Sequence, residues 1–494
     1  MKHYLGVDIG TYETKGVITD GTGRIVASAA RPHQMQVPHP GWAEHDPHTD
    51  WWGDFVFVTR KMLAESGISP RSIAAVGTSA IGPCVLPVDG DGNPLMNGIL
   101  YGVDTRSTAQ IAELNALIGE DVILARCRNA LTTQAAGPKI LWIKQERPEI
   151  FARTRRILNS TSFVVHRLTG TYTIDHYSAG SYNHLYLPDK LDWSDELAPG
   201  TVDPALMPDL MWTTDIAGHV TTAAAEATGL AAGTPVIAGT IDAAAEAVSV
   251  GVTSPGQMMV MYGSTIFIIQ ITAEPVQESR LWYAPWLFRG QHAAMAGIST
   301  TGTLTHWFRR IAAQDLSPAD AIVELNKEAE ASPPGANGVV VLPYFSGALT
   351  PLFDPSARGM IFGLDLTHTR GDLFRAILEG VAQATRHVFE TYEAAGQPAL
   401  QVFAVGGGTK SKVWSQATSD TCSTTQHLRE KTWGASFGDA FLAALAVGDA
   451  KPGDMAEWNP VVSTITPNAA LRDVYDERYH AFRGLYDAVK PWMA

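Results

Sequence analysis

An aspartate, a glycine and a hydroxyl residue end the first apolar run of the chain. They are Asp8, Gly10 and Thr11, and a second apolar run begins near Lys15, before turn residues at 20–23. This order predicts a β-hairpin with Gly10 and Thr11 at its tip. Peptide N–H groups at such a tip can face an anion, and one carboxylate at a strand end can hold a hydrated Mg²⁺. The segment therefore predicts a phosphate-binding loop, with a plain hairpin and a solvated Asp8 as the alternative.

A second carboxylate stands between a strand pattern and a helix pattern. Asp242 follows the apolar run 234–241 and precedes the alanine-rich run 243–248, so it is expected at a helix N-terminus. The helix dipole stabilises an anion there, so Asp242 is expected to remain ionised and to act as a modest base. A modest base is sufficient for phosphoryl transfer, and the small alanines leave room for a substrate. A simple helix N-cap is the alternative.

Two further strand-to-glycine turns occur in the second half of the chain. The first repeats the glycine and hydroxyl order of the N-terminal hairpin and comprises Gly263, Ser264 and Thr265. The second precedes a helical pattern and comprises Gly406, Gly407 and Gly408. Glycines let a flat ring approach the backbone, although a tight turn that needs positive φ explains them equally. The repeated hairpin suggests two duplicated lobes that hold one polyphosphate, with chance similarity as the alternative.

The elements that must position these residues alternate between strand and helix patterns. Residues 72–77 and 339–345 have the apolar character of buried strands, whereas residues 370–395 place apolar side chains at helical spacing and stop at Gly396. This alternation predicts an α/β fold. A chain of 494 residues exceeds the size at which one core keeps growing, so two or three domains are expected.

Composition excludes several classes of protein. The net charge of -14 disfavours a nucleic acid or an anionic membrane as partner, because their phosphate groups require basic patches. The three cysteines lie far apart without C-x-x-C spacing, so neither a disulfide framework nor a structural zinc site is predicted. No signal-peptide pattern and no apolar run of transmembrane length is present, so we expect a cytoplasmic protein.

A Pro-rich segment near the N-terminus contains several histidines. They are His33, His39, His45 and His48. The segment has neither cysteine nor helical spacing, so these histidines are expected to be solvated loop residues rather than metal ligands.

In their order along the chain, these segments resemble the FGGY family of carbohydrate kinases, with a xylulose-kinase-like arrangement, within the actin-like ATPase superfamily. The resemblance spans essentially the whole chain. The segments that carry it are residues 8–11 with Lys15, 41–44 before Trp51 and Trp52, 137–142, Asp242, 263–265, 358–364, 406–416 and 434–440.

The resemblance implies two actin-like (ribonuclease H-like) α/β lobes with a central nucleotide cleft. Residues 1–248 would form the N-terminal lobe, with the first phosphate loop, the sugar site and the catalytic aspartate. Residues 249–494 would form the C-terminal lobe, with the second phosphate loop and the adenosine pocket. The implied activity is transfer of the γ-phosphate of ATP, with Mg²⁺, to a hydroxyl of a ketose or polyol, with xylulose or a related pentulose as the leading substrate.

The resemblance also assigns roles to residues. Asp242 would be the catalytic base, and Asp8 would act with the metal. The nucleotide-binding residues would be Gly10, Thr11, Lys15, Gly263, Ser264, Thr265, Gly302, His306, Gly406, Gly407, Gly408 and Ser411. An ordinary half-buried histidine is the alternative for His306.

The sugar pocket departs from the family pattern. Residues 82–84 replace the Met-His-Gly triplet of xylulose kinases, and Gly102 replaces a tryptophan, which is expected to enlarge the pocket. The expected sugar contacts are Ser79, Asp104, Arg106 and Asp242. A structural ion pair is the alternative for Asp104 with Arg106. Glycerol is disfavoured because Ala243 stands where glycerol kinases have a glutamine after the catalytic aspartate.

Other functions remain open at this stage. They are a non-catalytic sugar sensor on a kinase scaffold, a kinase for another polyol such as a tetritol, and an actin-like chaperone or filament ATPase. Retention of both Asp8 and Asp242 argues against the sensor. The partner is expected to be a small sugar or polyol, and the oligomeric state is left open, with a homodimer as one option.

Overall fold

The computed structural model describes residues 2–317 and 320–493. The chain folds into two compact units, each built from more than one stretch of sequence. The first unit comprises Met1–Thr253, Tyr283–Ala293 and Trp433–Pro460, and the second comprises Ser254–Trp282, Ala294–Thr432 and Val461–Ala494. The lobe boundary predicted after residue 248 stays a prediction.

Strands and helices alternate in the first half of the chain. The strands are β1 (His3–Ile9), β2 (Glu13–Asp20), β3 (Ile25–Pro32), β4 (Glu44–His45), β5 (Ile73–Ala80), β6 (Leu86–Val88), β7 (Gly98–Ile99), β8 (Arg156–Leu158), β9 (Thr173–Asp175), β10 (Tyr186–Leu187), β11 (Asp192–Trp193), β12 (Asp209–Met211), β13 (Ile216–His219), β14 (Pro235–Ile237) and β15 (Thr240–Ile241). The helices are α1 (Asp54–Ser66), α2 (Thr108–Ile118), α3 (Glu120–Cys127), α4 (Ala136–Glu146), α5 (Pro148–Arg153), α6 (Ser160–Thr169), α7 (His176–Ala179), α8 (Thr222–Thr228) and α9 (Asp242–Ser249).

The second half has the same alternation. Its strands are β16 (Gln257–Tyr262), β17 (Ile266–Thr272), β18 (Trp282–Pro285), β19 (His292–Ile298), β20 (Val340–Leu342), β21 (Met360–Phe362), β22 (Gln401–Val405), β23 (Gln426–Arg429) and β24 (Val461–Ile465). Its helices are α10 (Gly302–Ala312), α11 (Ala321–Ala331), α12 (Arg370–Ala394), α13 (Lys412–Cys422), α14 (Ala435–Ala446), α15 (Met455–Trp458) and α16 (Arg472–Val489). Helices α14 and α15 belong to the first unit.

The main sheet of the first unit brings three strand ends to one edge. Its order is β13-β14-β5-β1-β2-β3, and β15 also pairs with β5. Strands β1 and β2 form the predicted antiparallel hairpin, whereas β1, β5 and β15 run parallel. Asp8 and Thr240 each lie opposite Ser79. Because parallel strands end at the same sheet edge, the residues that follow β1, β5 and β15 meet there.

Helix α14 lies directly on this sheet because two glycines remove side chains from its path. A Cβ atom at Gly6 of β1 would lie 1.9 Å from the Ser436 carbonyl oxygen, and one at Gly77 of β5 would lie 2.2 Å from the Asp439 carbonyl oxygen. Neither distance is compatible with a side chain. The C-terminal ends of β1, β5 and β15 form the carboxyl edge of the sheet. The glycines therefore allow α14 to bring Asp439 next to this edge.

The sheet of the second unit repeats the opening hairpin of the first. It contains the strand order β19-β17-β16-β22-β23-β24, with β16 and β17 antiparallel and β16 and β22 parallel. The loops after β16 and β22 therefore leave the same edge of this sheet. They contain the second phosphate loop and the triple glycine predicted from the sequence.

The α/β prediction is confirmed, and so are most of the elements that supported it. The strand predicted over residues 72–77 is β5, and the helix predicted over 370–395 is α12, which is followed by Gly396 with φ of +73°. The strand predicted over 339–345 is shorter, because Pro343 has no N–H to continue the pairing of β20. Among the described residues, no helix combines the length and apolar character needed to cross a membrane.

Candidate active site

Three residues predicted to act in the reaction lie at the carboxyl edge of the first sheet. Asp8 is in β1, Ser79 lies opposite it in β5, and Asp242 opens α9 directly after β15. The Ser79 Oγ atom lies 3.3 Å from Asp8 Oδ1. The fold thus brings together residues that are far apart in the sequence.

Asp242 occupies the first turn of α9, where its Oδ1 accepts the Ala243 N–H at 2.7 Å. Burial, opposed by that N–H and assisted by the charge of Glu246, raises the pKa of Asp242 to about 7. Desolvation therefore outweighs the stabilisation by the helix terminus, and Asp242 is expected to be fully ionised only above a pH of about 7. When deprotonated, a carboxylate with this pKa is a stronger base than an ordinary aspartate.

Two further carboxyl groups adjoin this edge, and neither was predicted from the sequence. Glu246 lies one helical turn after Asp242 in α9, and burial raises its pKa to about 7. Asp439 of α14 is fully buried, and its Oδ2 accepts the Ser79 hydroxyl at 2.7 Å. Burial and then the charge of Asp8 raise the pKa of Asp439. The Ser79 hydroxyl is therefore held by protein groups, and its contact with a sugar stays a prediction.

This concentration of carboxyl groups fits a cation that arrives with a nucleotide. Burial, and then the charges of Asp242 and Glu246, raise the pKa of Asp8 well above its ordinary value. Asp439 Oδ1 is buried without a hydrogen-bond partner among the described residues. No three His, Cys, Asp or Glu side chains of residues 2–317 and 320–493 form a metal cage. Mg²⁺ that is bound through phosphate oxygens and water needs only one or two carboxylates, so Asp8 fits this role.

The first phosphate loop has the predicted hairpin geometry. Gly10 and Thr11 connect β1 to β2, and the Gly10 N–H closes the turn by donating to the Glu13 carbonyl at 3.0 Å. Lys15 lies opposite Asp8 in this hairpin and pairs with Glu13 at 3.4 Å. The loop and its lysine are therefore next to the carboxyl edge, where a phosphate-binding role requires them.

Two histidines of the Pro-rich segment contact this loop. His33 is buried, and its ring nitrogens lie 2.8 Å from Asp54 Oδ2 and 2.9 Å from the Gly10 carbonyl oxygen. His45 is also buried, and its Nε2 lies 3.1 Å from the Thr11 carbonyl oxygen. The prediction of solvated histidines is wrong for these two, because the carbonyl groups of the hairpin tip need donors. The exposed members of the segment are His39 and His48.

The predicted sugar contacts Asp104 and Arg106 form an ion pair inside the protein. Their side chains are fully buried, and Arg106 Nη2 lies 2.7 Å from Asp104 Oδ2 and 2.9 Å from Glu44 Oε1. The guanidinium carbon also lies 4.0 Å from the ring centre of Trp42. This geometry matches the structural alternative given above. Direct contact of Asp104 or Arg106 with a sugar stays a prediction.

Gly102, which was expected to widen the sugar pocket, lies against the side chain of Gln134. The Gly102 N–H donates to Gln134 Oε1 at 3.1 Å, and a Cβ atom at Gly102 would lie 2.5 Å from the Gln134 amide. The Gln134 side chain therefore lies where a side chain at residue 102 would begin, and the expected widening of the pocket stays a prediction. The Lys139 ammonium joins the segments that carry Gly102 and Gln134, because it donates to the carbonyl groups of Leu100, Tyr101 and Thr133. The Tyr101 hydroxyl lies 3.2 Å from the Thr11 hydroxyl, so this wall reaches the phosphate loop.

In the second unit, the predicted second phosphate loop packs against the start of α10. The Gly302 N–H donates to the Gly263 carbonyl at 3.1 Å, and the Thr303 hydroxyl donates to the Ser264 carbonyl at 2.7 Å. The exposed residues at the tip are Ser264 and Thr265. Gly302 is therefore a neighbour of the loop, as expected for a shared nucleotide site, and His306, one turn along α10, is exposed.

The triple glycine leaves backbone surface open. Gly406 has φ of +97°, the left-handed region that favours glycine, and a Cβ atom at Gly407 would meet open space. Ser411 caps α13, since its hydroxyl accepts the Trp414 N–H at 3.3 Å. These features are compatible with the predicted adenosine pocket, although the capping bond gives Ser411 a structural role as well.

Of the site residues that were not predicted, some stand in a recognisable sequence pattern and others do not. Glu246 follows Asp242 by four positions, a spacing that puts both on one helix face. Asp439 is an acid within the otherwise apolar helix 435–446, which is unusual without a polar partner. His33 and His45 carried no such signal, because only folding brings the carbonyl groups of the hairpin tip near their rings.

Comparison with known proteins defines the class of this chain. The sequence model of the FGGY family of carbohydrate kinases, N-terminal domain, matches residues 3–249, and that of the C-terminal domain matches residues 258–447. The chain therefore belongs to the FGGY family of carbohydrate kinases. It is an ATP-dependent sugar kinase with the two-lobed actin-like α/β fold of that family.

Individual relatives are similar over their full length. A xylulose kinase of Bacillus subtilis is 27% identical, with 99% of each chain covered, and a xylulose kinase of Escherichia coli is 28% identical, with 99% of this chain and 100% of the relative covered. The crystal structure of xylulose kinase from Rhodospirillum rubrum matches with a TM-score of 0.93 and 31% identity over 100% of both chains.

The raised pKa of Asp242 predicts how activity depends on pH. Only the deprotonated carboxylate can accept a proton, so activity is present above a pH of about 7 and is lost as the pH falls through that value. We expect kcat/KM for the sugar to fall about tenfold per pH unit on the acidic side. Initial rates at low concentrations of both sugar and ATP, between about pH 5.5 and about pH 9, measure this slope for the unliganded enzyme. A flat profile over that range would contradict the assignment.

Proposed function

We propose that this kinase transfers the γ-phosphate of ATP to a terminal primary hydroxyl of xylulose or a related pentulose. The observation that carries the proposal is the position of Asp8 and Asp242 at the carboxyl edge formed by β1, β5 and β15. One carboxylate is next to a phosphate-binding hairpin, and the other opens a helix beside small residues. Phosphoryl transfer requires this combination of metal-nucleotide binding and proton acceptance.

Asp242 is the proposed general base. Its Oδ1 is held by the Ala243 N–H at 2.7 Å, so Oδ2 is assigned to accept the proton of the sugar hydroxyl. The hydrogen bond fixes the carboxylate plane and orients the accepting oxygen. Ala243 and Ala244 are too small to block the approach of an alcohol to this oxygen.

Asp8 is the proposed residue for Mg²⁺, which would neutralise charge on the phosphate groups when it is bound with ATP. The Gly10 and Thr11 loop orients these groups, and Lys15 adds a positive charge close to Asp8. The other proposed nucleotide-binding residues lie in the second unit and are Gly263, Ser264, Thr265, Gly302, His306, Gly406, Gly407, Gly408 and Ser411.

The choice of a pentulose is supported by the full-length similarity to xylulose kinases. Asp104 and Arg106 pair with each other, so this ion pair does not itself favour a larger sugar over a small one. The structure offers Gln134 as an alternative polar wall, since its amide adjoins Gly102 and is exposed. An amide can donate to a sugar hydroxyl and accept from another.

A substrate screen tests this proposal. Release of ADP is measured with pentuloses, hexuloses, tetritols, pentitols and glycerol, and the phosphorylated carbon is identified by NMR. We expect a pentulose to give the highest kcat/KM, with glycerol lower by on the order of 100-fold because it makes fewer polar contacts. ADP release without sugar is the control for ATP hydrolysis. If glycerol or a tetritol is the best acceptor, the substrate proposal is wrong and the kinase assignment still holds.

A further inference from the structure

Three consecutive carbonyl groups of the first phosphate loop are bound by two histidines. The His33 N–H donates to the Tyr12 carbonyl at 2.9 Å, and the His33 ring reaches the Gly10 carbonyl at 2.9 Å. The His45 ring reaches the Thr11 carbonyl at 3.1 Å. Carbonyl oxygens repel phosphate, whereas peptide N–H groups attract it. A loop whose carbonyl groups are already engaged is therefore preformed for an anion.

The partners of His33 fix its protonation state. Its Nδ1 lies 2.8 Å from Asp54 Oδ2, and its Nε2 lies 2.9 Å from the Gly10 carbonyl oxygen. Carboxylate and carbonyl oxygens only accept hydrogen bonds, so both ring nitrogens must carry a proton. Asp54 also accepts the Thr14 hydroxyl at 3.1 Å and lies 3.0 Å from Arg31 Nε, so its two oxygens are surrounded by donors. His33 is thus an imidazolium in this structure.

His45 has the opposite protonation state. The indole N–H of Trp51 donates to His45 Nδ1 at 3.1 Å, so the single ring proton is on Nε2 and points to the Thr11 carbonyl. Burial, and then the charge of His33, lower the pKa of His45 to about 4. The two ring centres are 4.9 Å apart, so one charged and one neutral ring avoid mutual repulsion.

The charged groups around His33 favour the imidazolium. Burial by itself lowers the pKa of His33, but the hydrogen bond and charge of Asp54 outweigh it, and Asp50 acts in the same direction. Arg31 is the cation on this side, and its charge is balanced by its own contact with Asp54 Oδ1. The pKa of His33 is accordingly raised above its ordinary value.

We propose that His33, as an imidazolium tied to Asp54, is a positioning residue that holds the Gly10 carbonyl and so preforms the first phosphate loop for the nucleotide. The inference rests on the proposed nucleotide-binding role of Gly10 and Thr11. Loss of the ring proton breaks one of the two contacts, so the affinity for ATP decreases when His33 is deprotonated.

Kinetics of two matched variants test the positioning role. His33→Gln removes the charge and one of the two donors, so the KM for ATP is expected to rise about tenfold, the effect of one hydrogen bond to a charged group. The KM for the sugar is expected to change less than about twofold, since the sugar contacts are elsewhere. His48→Gln makes the same change at an exposed position of the same segment and leaves both values unchanged.

The pH dependence and the ring protons provide a second test. Asp54→Asn keeps the shape of the partner but removes its charge, so the pH at which the KM for ATP rises is expected to move down by about one unit or more. NMR of the histidine rings in the wild-type enzyme is expected to show His33 doubly protonated near pH 7 and His45 with its proton on Nε2.

A neutral His33 ring at about pH 6 overturns the proposal, and so does an unchanged KM for ATP in an active His33→Gln enzyme. If the ring protons are as stated but the wild-type enzyme does not phosphorylate any sugar, the proposed function fails instead. The two failures are therefore distinguishable.

Discussion

Asp242→Asn is expected to reduce kcat by about 100- to 10,000-fold while ATP binding stays nearly intact, the range that general base catalysis contributes. Asparagine keeps an oxygen for the Ala243 N–H and retains the size of the side chain. It cannot accept a proton from the sugar hydroxyl. Steady-state kinetics at saturating sugar and ATP give kcat, and fluorescence or calorimetric titration gives the affinity for ATP.

The unfolding temperature of the variant distinguishes loss of the base from loss of folding. Burial raises the pKa of Asp242 to about 7, so its ionised form destabilises the folded state at higher pH. The asparagine variant is therefore expected to unfold at the same temperature as the wild type, or a higher one, at about pH 8. Asp121→Asn, in the exposed first turn of α3, is the matched control and is expected to leave kcat unchanged. Near-normal turnover of Asp242→Asn would rule out Asp242 as the base.

Asp8→Ala is expected to reduce kcat/KM for ATP by about 100-fold or more, because stabilisation by a bound metal ion is worth several kcal/mol. Asp8 lies at the end of β1, beside the phosphate loop and opposite Lys15. Its removal also leaves the nearby carboxyl groups with less mutual repulsion, so the folded state is not expected to be weakened. Initial rates measured over a wide range of Mg²⁺ at fixed ATP test the assignment.

Partial rescue of Asp8→Ala by high Mg²⁺ is the result that identifies a metal-binding role. Asp91→Ala in an exposed turn is the control and is expected to have the Mg²⁺ dependence of the wild type. If Asp8→Ala loses activity with no change in Mg²⁺ dependence, Asp8 has a structural role in the hairpin. The KM for the sugar provides a further check, because loss of a metal ligand is expected to change it less than it changes kcat/KM for ATP.

The buried carboxyl groups at the carboxyl edge destabilise the folded protein when no ligand is bound. Asp8, Asp242, Glu246 and Asp439 all have raised pKa values, because burial and mutual proximity disfavour their charged forms. Such a cluster is unfavourable for an isolated protein and becomes favourable when a cation is bound nearby. The same groups that weaken the unliganded fold are therefore suited to a substrate that carries a metal ion.

The sequence by itself determined the local features of this protein. The hairpin with Gly10 and Thr11, the strand-to-helix junction at Asp242, and the turns at Gly263 and Gly406 were all predicted and are present. These features depend on turn residues and apolar periodicity within a few positions of one another, so short-range backbone preferences are sufficient to specify them. Their order along the chain was also sufficient to indicate the family.

Only the tertiary structure decided which of these residues have partners and which charges they carry. Asp439 reaches Ser79 because α14 packs on two glycines, and His33 reaches Gly10 because the Pro-rich segment returns to the hairpin. The pKa of Asp242 depends on burial more than on its helix position, and the Gln134 side chain lies against Gly102. Desolvation, ion pairing and hydrogen bonding act through space between residues remote in sequence, so no local pattern encodes them.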